Sequence, residues 1–546
     1  MLAFLPAPGA ALAAPADPYV VYTANSFAGG AVVLRTDPAA GSLVEISRNG
    51  AQGTLFRRPF DLALEADGDL LVADMGAPCT TDLRRCPSDG RVIRVDTITG
   101  RQTLVASGAP LLDPAGIAVA PNGDIYVADN HGADDDGAVI RIDPVTGAQT
   151  LVTEGDQLDL PFGILVDRDG SLVVSNRMAP GSACSGTPGR LVRVQQSGDQ
   201  QVVSEGGLFK YPLGLALDAL GRIAFANECG PNGLLRVLGA ATQSPITSNN
   251  DTDLLVTPER LALDPAGDFL VSDFSVGDGD GGIVKVGSSD GAQSLVRQGE
   301  LFNHPLGIAA VVNRPPSASL RVVPSIVAAG RPVRMDASGS RDPEGLRLVY
   351  EWDLNGDGVF EAGTGTRARA SRTWRVDGTV SIGMRVNDPH GGRAVATGVM
   401  TVDGSVPVVS GLRADSRVLG VGRRWRGRSG AAAAQSRRPG PPRSTRLRFG
   451  LSEPAVVRVA AKRVRAGRRA HSGAPCRPRA KRGRPCIHRS QVRALRKAGR
   501  PGANSLRIRS RGLAPGSYRL VVTATDAVDH RSTPRVLGLR VVRLPR

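Results

Sequence analysis

The sequence predicts an all-β protein, a ring of repeated four-stranded sheets followed by two β-sandwich domains, and three observations carry that prediction. The first is an internal repeat, plainest in DPAGIAVAPNGDIYVADN (113–130), with related segments RPFDLALEADGDLLVADM, LPFGILVDRDGSLVVSNR, YPLGLALDALGRIAFANE and TPERLALDPAGDFLVSDF. The second is composition. Sixty-seven glycines and 39 prolines accompany 41% hydrophobic residues, a balance that puts glycine in turns between short strands rather than in disordered tracts. The third is length, since 546 residues exceed what a single hydrophobic core organises.

The repeat begins at Pro59, Pro114, Pro161, Pro212, Pro258 and Pro305, spacings of 55, 47, 51, 46 and 47 residues, which are those of β-propeller blades. In the five complete copies an Asp or Asn stands 15 residues after the proline: Asp74, Asp129, Asn176, Asn227 and Asp273. The first half of each blade is thus of fixed length and reads as an inner hairpin around a D-G, N-G, A-G or L-G turn, while insertions fall after the Asx. YVVYTAN (19–25) matches the second strand of a blade that lacks its first, and HPLGIAAVV (304–312) is a first strand with nothing after it. Pairing the two completes a sixth blade and removes the open sheet edges.

The motif P-x-G-I-A-x5-G-x-I-Y-V-A-D resembles NHL-repeat propellers and the related SMP-30/gluconolactonase-like propellers over residues 19–312. The resemblance implies a six-bladed fold and leaves activity open among lactonases, lyases and binding modules. An SMP-30-like lactonase would need acidic and amide metal ligands beside the P-x-G site. Here those positions read Phe60, Ala115, Phe162, Leu213, Glu259 and Leu306, with Asp61 adjacent, too few oxygens for a hard divalent cation. A histidine-based lyase has only His131 and His304 to draw on, in different loops. The Asx positions, with Asn25 added from the first blade, and the acidic loop Asp134, Asp135 and Asp136 are the candidates for binding at the propeller face. The alternative use of the Asx residues is structural, as acceptors of backbone N–H groups at strand ends.

After the N-R-P-P linker at 313–316, AGRPVRMDASGSRDPEGLRLVYEWDLNGDG (329–358) and RVNDPHGG (385–392) resemble a PKD domain, which implies a spacer or binding sandwich, with Trp374 expected to fill a core slot. DLNGDGVFE (353–361) matches nine positions of a calcium loop and nominates Asp353, Asn355, Asp357 and Glu361 as ligands, with Thr364 where the twelfth-position acid belongs. Residues 405–444, rich in Arg, Gly, Ala and Pro, are expected to be a disordered basic linker, and 445–546 an Arg-rich sandwich whose LAPGSYRLVVTATDAVDHRS (513–532) resembles the last strands of a bacterial Ig-like domain.

Charge is unevenly divided. Residues 17–312 hold 20 Lys and Arg against 37 Asp and Glu, whereas 405–546 hold 36 against 4. Three aromatics, Trp425, Phe449 and Tyr518, follow residue 404. That is too few for base stacking between the charges, so a cell-wall polyanion is the expected partner of the basic tail rather than a specific nucleic acid. Residues 1–16 resemble part of a secretory signal segment. The six cysteines lack metal-ligand spacing, and their grouping suggests the disulfides Cys79–Cys86, Cys184–Cys229 and Cys476–Cys486 of an oxidising compartment. No apolar run is long enough to span a membrane as a helix. The expected function is a secreted or cell-surface, non-catalytic binding or adhesion protein with an unknown propeller-face ligand. The alternative is a metal-dependent hydrolase or lyase of the SMP-30/NHL propeller type.

Overall fold

A computed structural model describes residues 17–26, 30–50, 52–76, 89–131, 137–177, 189–228, 233–247, 254–276, 279–299, 301–422, 440–478 and 480–544. The ordered secondary structure of these residues is entirely β, and no helix among them is long and apolar enough to cross a membrane.

Six four-stranded antiparallel sheets form the ring. Five are sequential, from Pro59–Leu64 through Gln102–Ser107 to Pro258–Leu263 through Gln293–Gln298. The remaining sheet is ordered Pro305–Val312, Tyr19–Asn25, Val32–Asp37, Ser42–Arg48, so both ends of the repeat region share one blade, with Tyr19 opposite Val312 and Thr23 opposite Ile308. Buried apolar residues pack between neighbouring sheets, as where Leu71 and Val92 meet Ile117, Val127 and Ile140.

Three local devices set the blade geometry. The inner hairpin turns over a glycine (Gly68, Gly123, Gly170, Gly221 and Gly267, φ between 80 and 91°), a conformation costly for any residue with a Cβ. Each innermost strand is bulged just after its proline, for instance between Pro114 and Gly116 or Pro161 and Ile164, which re-aims the following side chains. Adjacent inner strands approach so closely there that a Cβ on Gly116 would lie 2.3 Å from the Phe162 carbonyl oxygen and one on Gly163 2.5 Å from that of Leu213.

Backbone contacts divide the chain into two compact units. Residues 340–350 and 385–395 group with the ring, and 319–339, 351–384 and 396–546 form the other. Within the first, the Tyr22 hydroxyl meets His390 Nδ1 at 3.0 Å, and Arg347 donates to Asp69 and Asp96, both at 2.8 Å. Burial, aided by Arg35, lowers the His390 pKa to about 4, so the ring is neutral in this contact.

The middle and third domains share one sandwich plan, a three-stranded sheet facing a five-stranded one in which a short early strand joins the last strand in parallel: Ile326–Ala328 beside Arg393–Asp403, and Val418–Val421 beside Arg535–Arg543. Trp352 is the fully buried aromatic of the middle domain. Trp374 is not in that core as expected. It stands half-buried near a run of exposed positions, with the Arg372 guanidinium 5.8 Å over its ring. The expected linker also needs correction. Val409–Ala414 pairs with Ser444–Leu451, and Val418–Val421 completes the larger sheet, so 409–421 belongs to the third sandwich. Val409 and Leu419 are buried in its core, while Arg413 on the first of these strands is exposed.

Strands Ala455–Arg469 and Arg484–Gly499 make a long basic hairpin. Only Val456 to Val464 of the first strand also pairs with Gly516–Thr525, so the part from Arg465 and His488 onward leaves the sandwich as a free two-stranded ribbon. Cys476 and Cys486 are disulfide-bonded near its end, with Cα atoms 5.9 Å apart.

Candidate binding site at the propeller mouth

The Asx residues nominated for face binding are fully buried and take up backbone groups. Asp74 Oδ2 accepts from Arg57 and Arg58 N at 2.7 and 3.0 Å; Asp129 accepts from Leu112, Asp113 and His131 N; Asp273 from Val256, Thr257 and Ser275 N. Asn176 accepts from Asp159 N, Asn227 from Lys210 N, and Asn25 donates to the Leu301 carbonyl. Burial pushes the carboxyls of Asp74, Asp129 and Asp273 up in pKa against the pull of these donors. With no exposed surface, the six hold the loop entering each inner strand and are not presented to a ligand. Asp134, Asp135 and Asp136, and the cysteines 79, 86, 184 and 229, lie outside the described residues.

What the Asx residues position is more informative. In five blades the residue after the Asx donates its N–H to the carbonyl of the residue before the repeat proline: Met75 to Arg58, Asn130 to Asp113, Arg177 to Leu160, Glu228 to Tyr211 and Phe274 to Thr257. These side chains meet those of the bulged inner strands around the channel. Four of the six positions two after the proline are glycine, and the exceptions, Asp61 and Arg260, face one another. Arg260 Nε lies 3.4 Å from Asp61 Oδ2, and Nη2 donates to the Ala115 carbonyl at 2.8 Å. The guanidinium covers the Phe162 ring at 3.9 Å, and Phe60 meets Phe162 edge-on at 5.1 Å. On the other side of this group Arg177 sits 4.7 Å over Phe162 and 4.3 Å over Tyr211, whose hydroxyl accepts from it. The channel is thus closed by alternating guanidinium and aromatic groups, each contact favourable because a cation meets the negative face of a ring.

Beside this stack lies a cavity of about 160 Å³ lined by Arg58, Phe60, Met75, Asp113, Asn130, His131, Leu160 and Arg177. Arg58 and Asn130 Nδ2 bond the Asp113 carboxylate at 3.2 and 3.1 Å, with His131 Nε2 at 3.8 Å. His304, the other ring histidine, stacks on Phe274 at 4.0 Å.

Burial raises the Asp61 carboxyl, with Arg260 opposing, and raises Glu259 to about 7, where Arg260 again opposes and Glu228 adds to the rise. A carboxyl raised in the folded state contributes stability that is full below its unfolded value, about 4.5, and is lost as pH climbs toward 7. The thermal midpoint should therefore fall between pH 4.5 and 7.5, and Glu259→Gln should flatten that fall by up to roughly 3 kcal/mol; an unaltered pH profile in the variant would show that Glu259 is ionised throughout.

The metal centre that an SMP-30-like reading requires does not fit. The acidic groups among the described channel residues, Asp61, Glu228 and Glu259, share the channel with Arg177 and Arg260, and Asp61 is paired with Arg260, so guanidinium charge opposes a divalent cation there.

In the middle domain the structure brings the nominated calcium ligands together. Oxygens of Asp353, Asp357 and Glu361 lie within 4.8 Å of one another, and Asn355 Nδ2 donates to Asp357 and Glu361 at 3.0 and 2.7 Å. Burial works to raise the Asp353 carboxyl, but the N–H groups of Gly358, Gly356 and Asn355 outweigh it and hold the group below its ordinary value. Thr364 is engaged elsewhere, accepting from Trp352 Nε1 at 2.9 Å and donating to the Arg367 carbonyl.

Residues 111–132, one inner hairpin with its entering loop, match the NHL repeat, and residues 313–402 match the PKD domain. One blade of the ring thus matches the NHL repeat, and the middle domain matches the PKD domain over its length. No curated protein matches the chain. Among solved structures it is similar to virginiamycin B lyase from Staphylococcus aureus (15% identity, 54% of this chain and 88% of that one, TM-score 0.35), a gluconolactonase from Xanthomonas campestris (16%, 60% and 96%, 0.33) and a protein of unknown function from Bacteroides caccae (14%, 54% and 99%, 0.38). Likeness at this level transfers no activity.

Sequence reasoning missed Arg177 and Arg260. The signal was present in the repeat itself, as the two non-glycine residues at an otherwise glycine position and an arginine directly after the Asx.

Proposed function

We propose that the chain is a non-catalytic binding protein of the cell exterior, with the NHL propeller mouth as ligand platform, the PKD domain as spacer and the basic ribbon of the third domain as its hold on a cell-wall polyanion. One observation carries the reading. A guanidinium–aromatic stack closes the channel, and beside it lies a small cavity lined by Arg58, Asn130, His131 and Arg177 together with Phe60, Met75 and Leu160. That arrangement suits a ligand rich in acceptor oxygens and disfavours a bound divalent cation. The PKD match supports an extracellular setting. A glycan and metabolite screen on the full chain should return a ligand whose affinity falls at least tenfold in Arg177→Ala. Metal-dependent turnover of a lactone or ester would instead establish the hydrolase or lyase alternative, for which the raised Glu259 carboxyl is the supporting group.

Calcium is proposed as a ligand of the PKD domain through Asp353, Asn355, Asp357 and Glu361. With no acid at the twelfth position the affinity should lie at about 0.1–1 mM, the range of extracellular modules. Calorimetry should show heat that Asp357→Ala abolishes; no heat at millimolar calcium would leave a turn and nothing more.

A further inference from the structure

The third domain contains a second group of ligating side chains, built by the turn that follows strand Gly516–Thr525. Asp526 Oδ1 accepts from Val528 and His530 N at 2.9 and 2.8 Å, and Asp529 takes φ 69°, a left-handed conformation that aspartate tolerates better than most residues. The chain doubles back and sets the His530 ring against the Asp526 carboxylate, with Nδ1 3.3 Å from Oδ2. The Asp526 side chain is 2% exposed, yet among the described residues neither its Oδ2 nor His530 Nδ1 has a hydrogen-bond partner. A third ligating group faces them. Asp403, the last residue of strand Arg393–Asp403, is held by Ser405, whose N and Oγ donate to Oδ1 at 3.0 and 2.8 Å. One ligand atom from each of Asp403, Asp526 and His530 lies within 4.8 Å of the others. All three residues belong to the same compact unit. Arginine is abundant in this region, with Asp415 paired to Arg448, but among the described residues neither Asp403 nor Asp526 takes an arginine or lysine partner.

We propose that Asp403, Asp526 and His530 form a zinc-class metal site that joins the strand leaving the PKD domain to the third domain. The chemistry of the donors selects the ion: an imidazole nitrogen with two carboxylates suits zinc and its neighbours, whereas calcium and magnesium take oxygen ligands alone. The geometry agrees. In a tetrahedral shell with bonds of about 2.0–2.2 Å, ligand atoms stand roughly 3.4 Å apart, and Nδ1 and Oδ2 are already 3.3 Å apart. Asp403 stands within 4.8 Å of both, and a solvent molecule would complete the shell. Two buried atoms that have no hydrogen-bond partner among the described residues become ligands. The inference is independent of the propeller reading.

The test uses the full chain, stripped with a chelator and titrated separately with zinc alone and calcium alone. Zinc should bind with a stoichiometry that drops by one equivalent in His530→Ala, raise the thermal midpoint of the wild type, and bind at least tenfold more weakly at this site in Asp403→Asn. Cobalt in place of zinc should give the visible absorption of a four-coordinate site, lost in the same variants. Asp403→Asn leaves the third domain's own sequence intact, so it remains informative if His530→Ala fails to fold. The proposal is overturned if zinc leaves the midpoint unchanged, if both variants bind zinc as the wild type does, or if calcium and not zinc gives the response lost in the variants. A midpoint that responds to pH near the titration of histidine but not to zinc would show an ion pair only, and overturns it equally.

Discussion

A chain ending at residue 303 should lose the cooperative unfolding transition of the propeller that a chain ending at residue 312 retains. The nine residues at stake supply the innermost strand of the first blade, where Leu306 and Ile308 are 3% and 5% exposed and Tyr19 to Thr23 find their antiparallel partners. Without them Tyr19–Asn25 becomes an inner edge with its N–H and C=O groups unpaired, and the neighbouring inner strands Pro258–Leu263 and Pro59–Leu64 lose the element between them. The cost is therefore not that of one strand. Unpaired buried backbone groups, at about 1–3 kcal/mol each, add to the burial lost from both flanking interfaces and together exceed the roughly 5–15 kcal/mol by which a domain is stable. Denaturant unfolding followed by far-UV circular dichroism reads the outcome directly. Equal midpoints and slopes for the two chains would mean that the ring closes elsewhere.

Arg260→Ala should destabilise the propeller by about 3–5 kcal/mol, the range for removing one partner of a buried ion pair. Arg260 is 4% and Asp61 6% exposed, so truncation leaves a carboxylate inside the ring with the two backbone donors Leu62 and Ile117 and no counter-charge. It also strips one face of Phe162 of its cation. Two further variants separate these causes. Arg260→Lys keeps the charge but not the planar group, and should recover only part of the loss. The double change Asp61→Asn with Arg260→Met removes both charges and should be more stable than Arg260→Ala alone. Because the orphaned carboxyl is pushed further up in pKa, the penalty of Arg260→Ala should grow as pH rises from about 5 to 8. A loss under about 1 kcal/mol in Arg260→Ala at pH 8 would show that the pair does not hold the channel closed.

The extent to which the sequence disclosed all this follows from which interactions are local. The inner hairpins were legible because proline, turn glycine and Asx stand at fixed offsets within 16 residues, and each offset answers to one backbone requirement. Ring closure was legible because its two halves were complementary fragments of a known unit. Val409–Ala414 and Val418–Val421 were obscured because each is too short, at six and four residues, to show a period-two signal above the Arg-, Gly-, Ala- and Pro-rich composition of the segment that follows. Trp374 was misplaced because size alone argues for burial, whereas the backbone there places it beside Arg372 at an exposed stretch. The channel stack was beyond local reading: Arg260 contacts Ala115, 145 residues earlier, and Asp61, on a strand two blades away, and only the closed ring makes them neighbours. His530 and Asp403 are a similar case, since they stand 127 residues apart in the sequence and only the fold brings them near one another.

Sharing the first blade between both ends of the repeat region also imposes a timetable. Tyr19–Asn25 leaves the ribosome early, and its inner partner Pro305–Val312 follows only after the other five blades have been made. At the roughly 5–20 residues per second of protein synthesis, that wait is on the order of 15–60 s, during which the early strand stays exposed or pairs with something else. For an exported chain the same interval bears on transport: until residue 312 has been made, the propeller cannot close into a form too bulky to thread through a narrow pore.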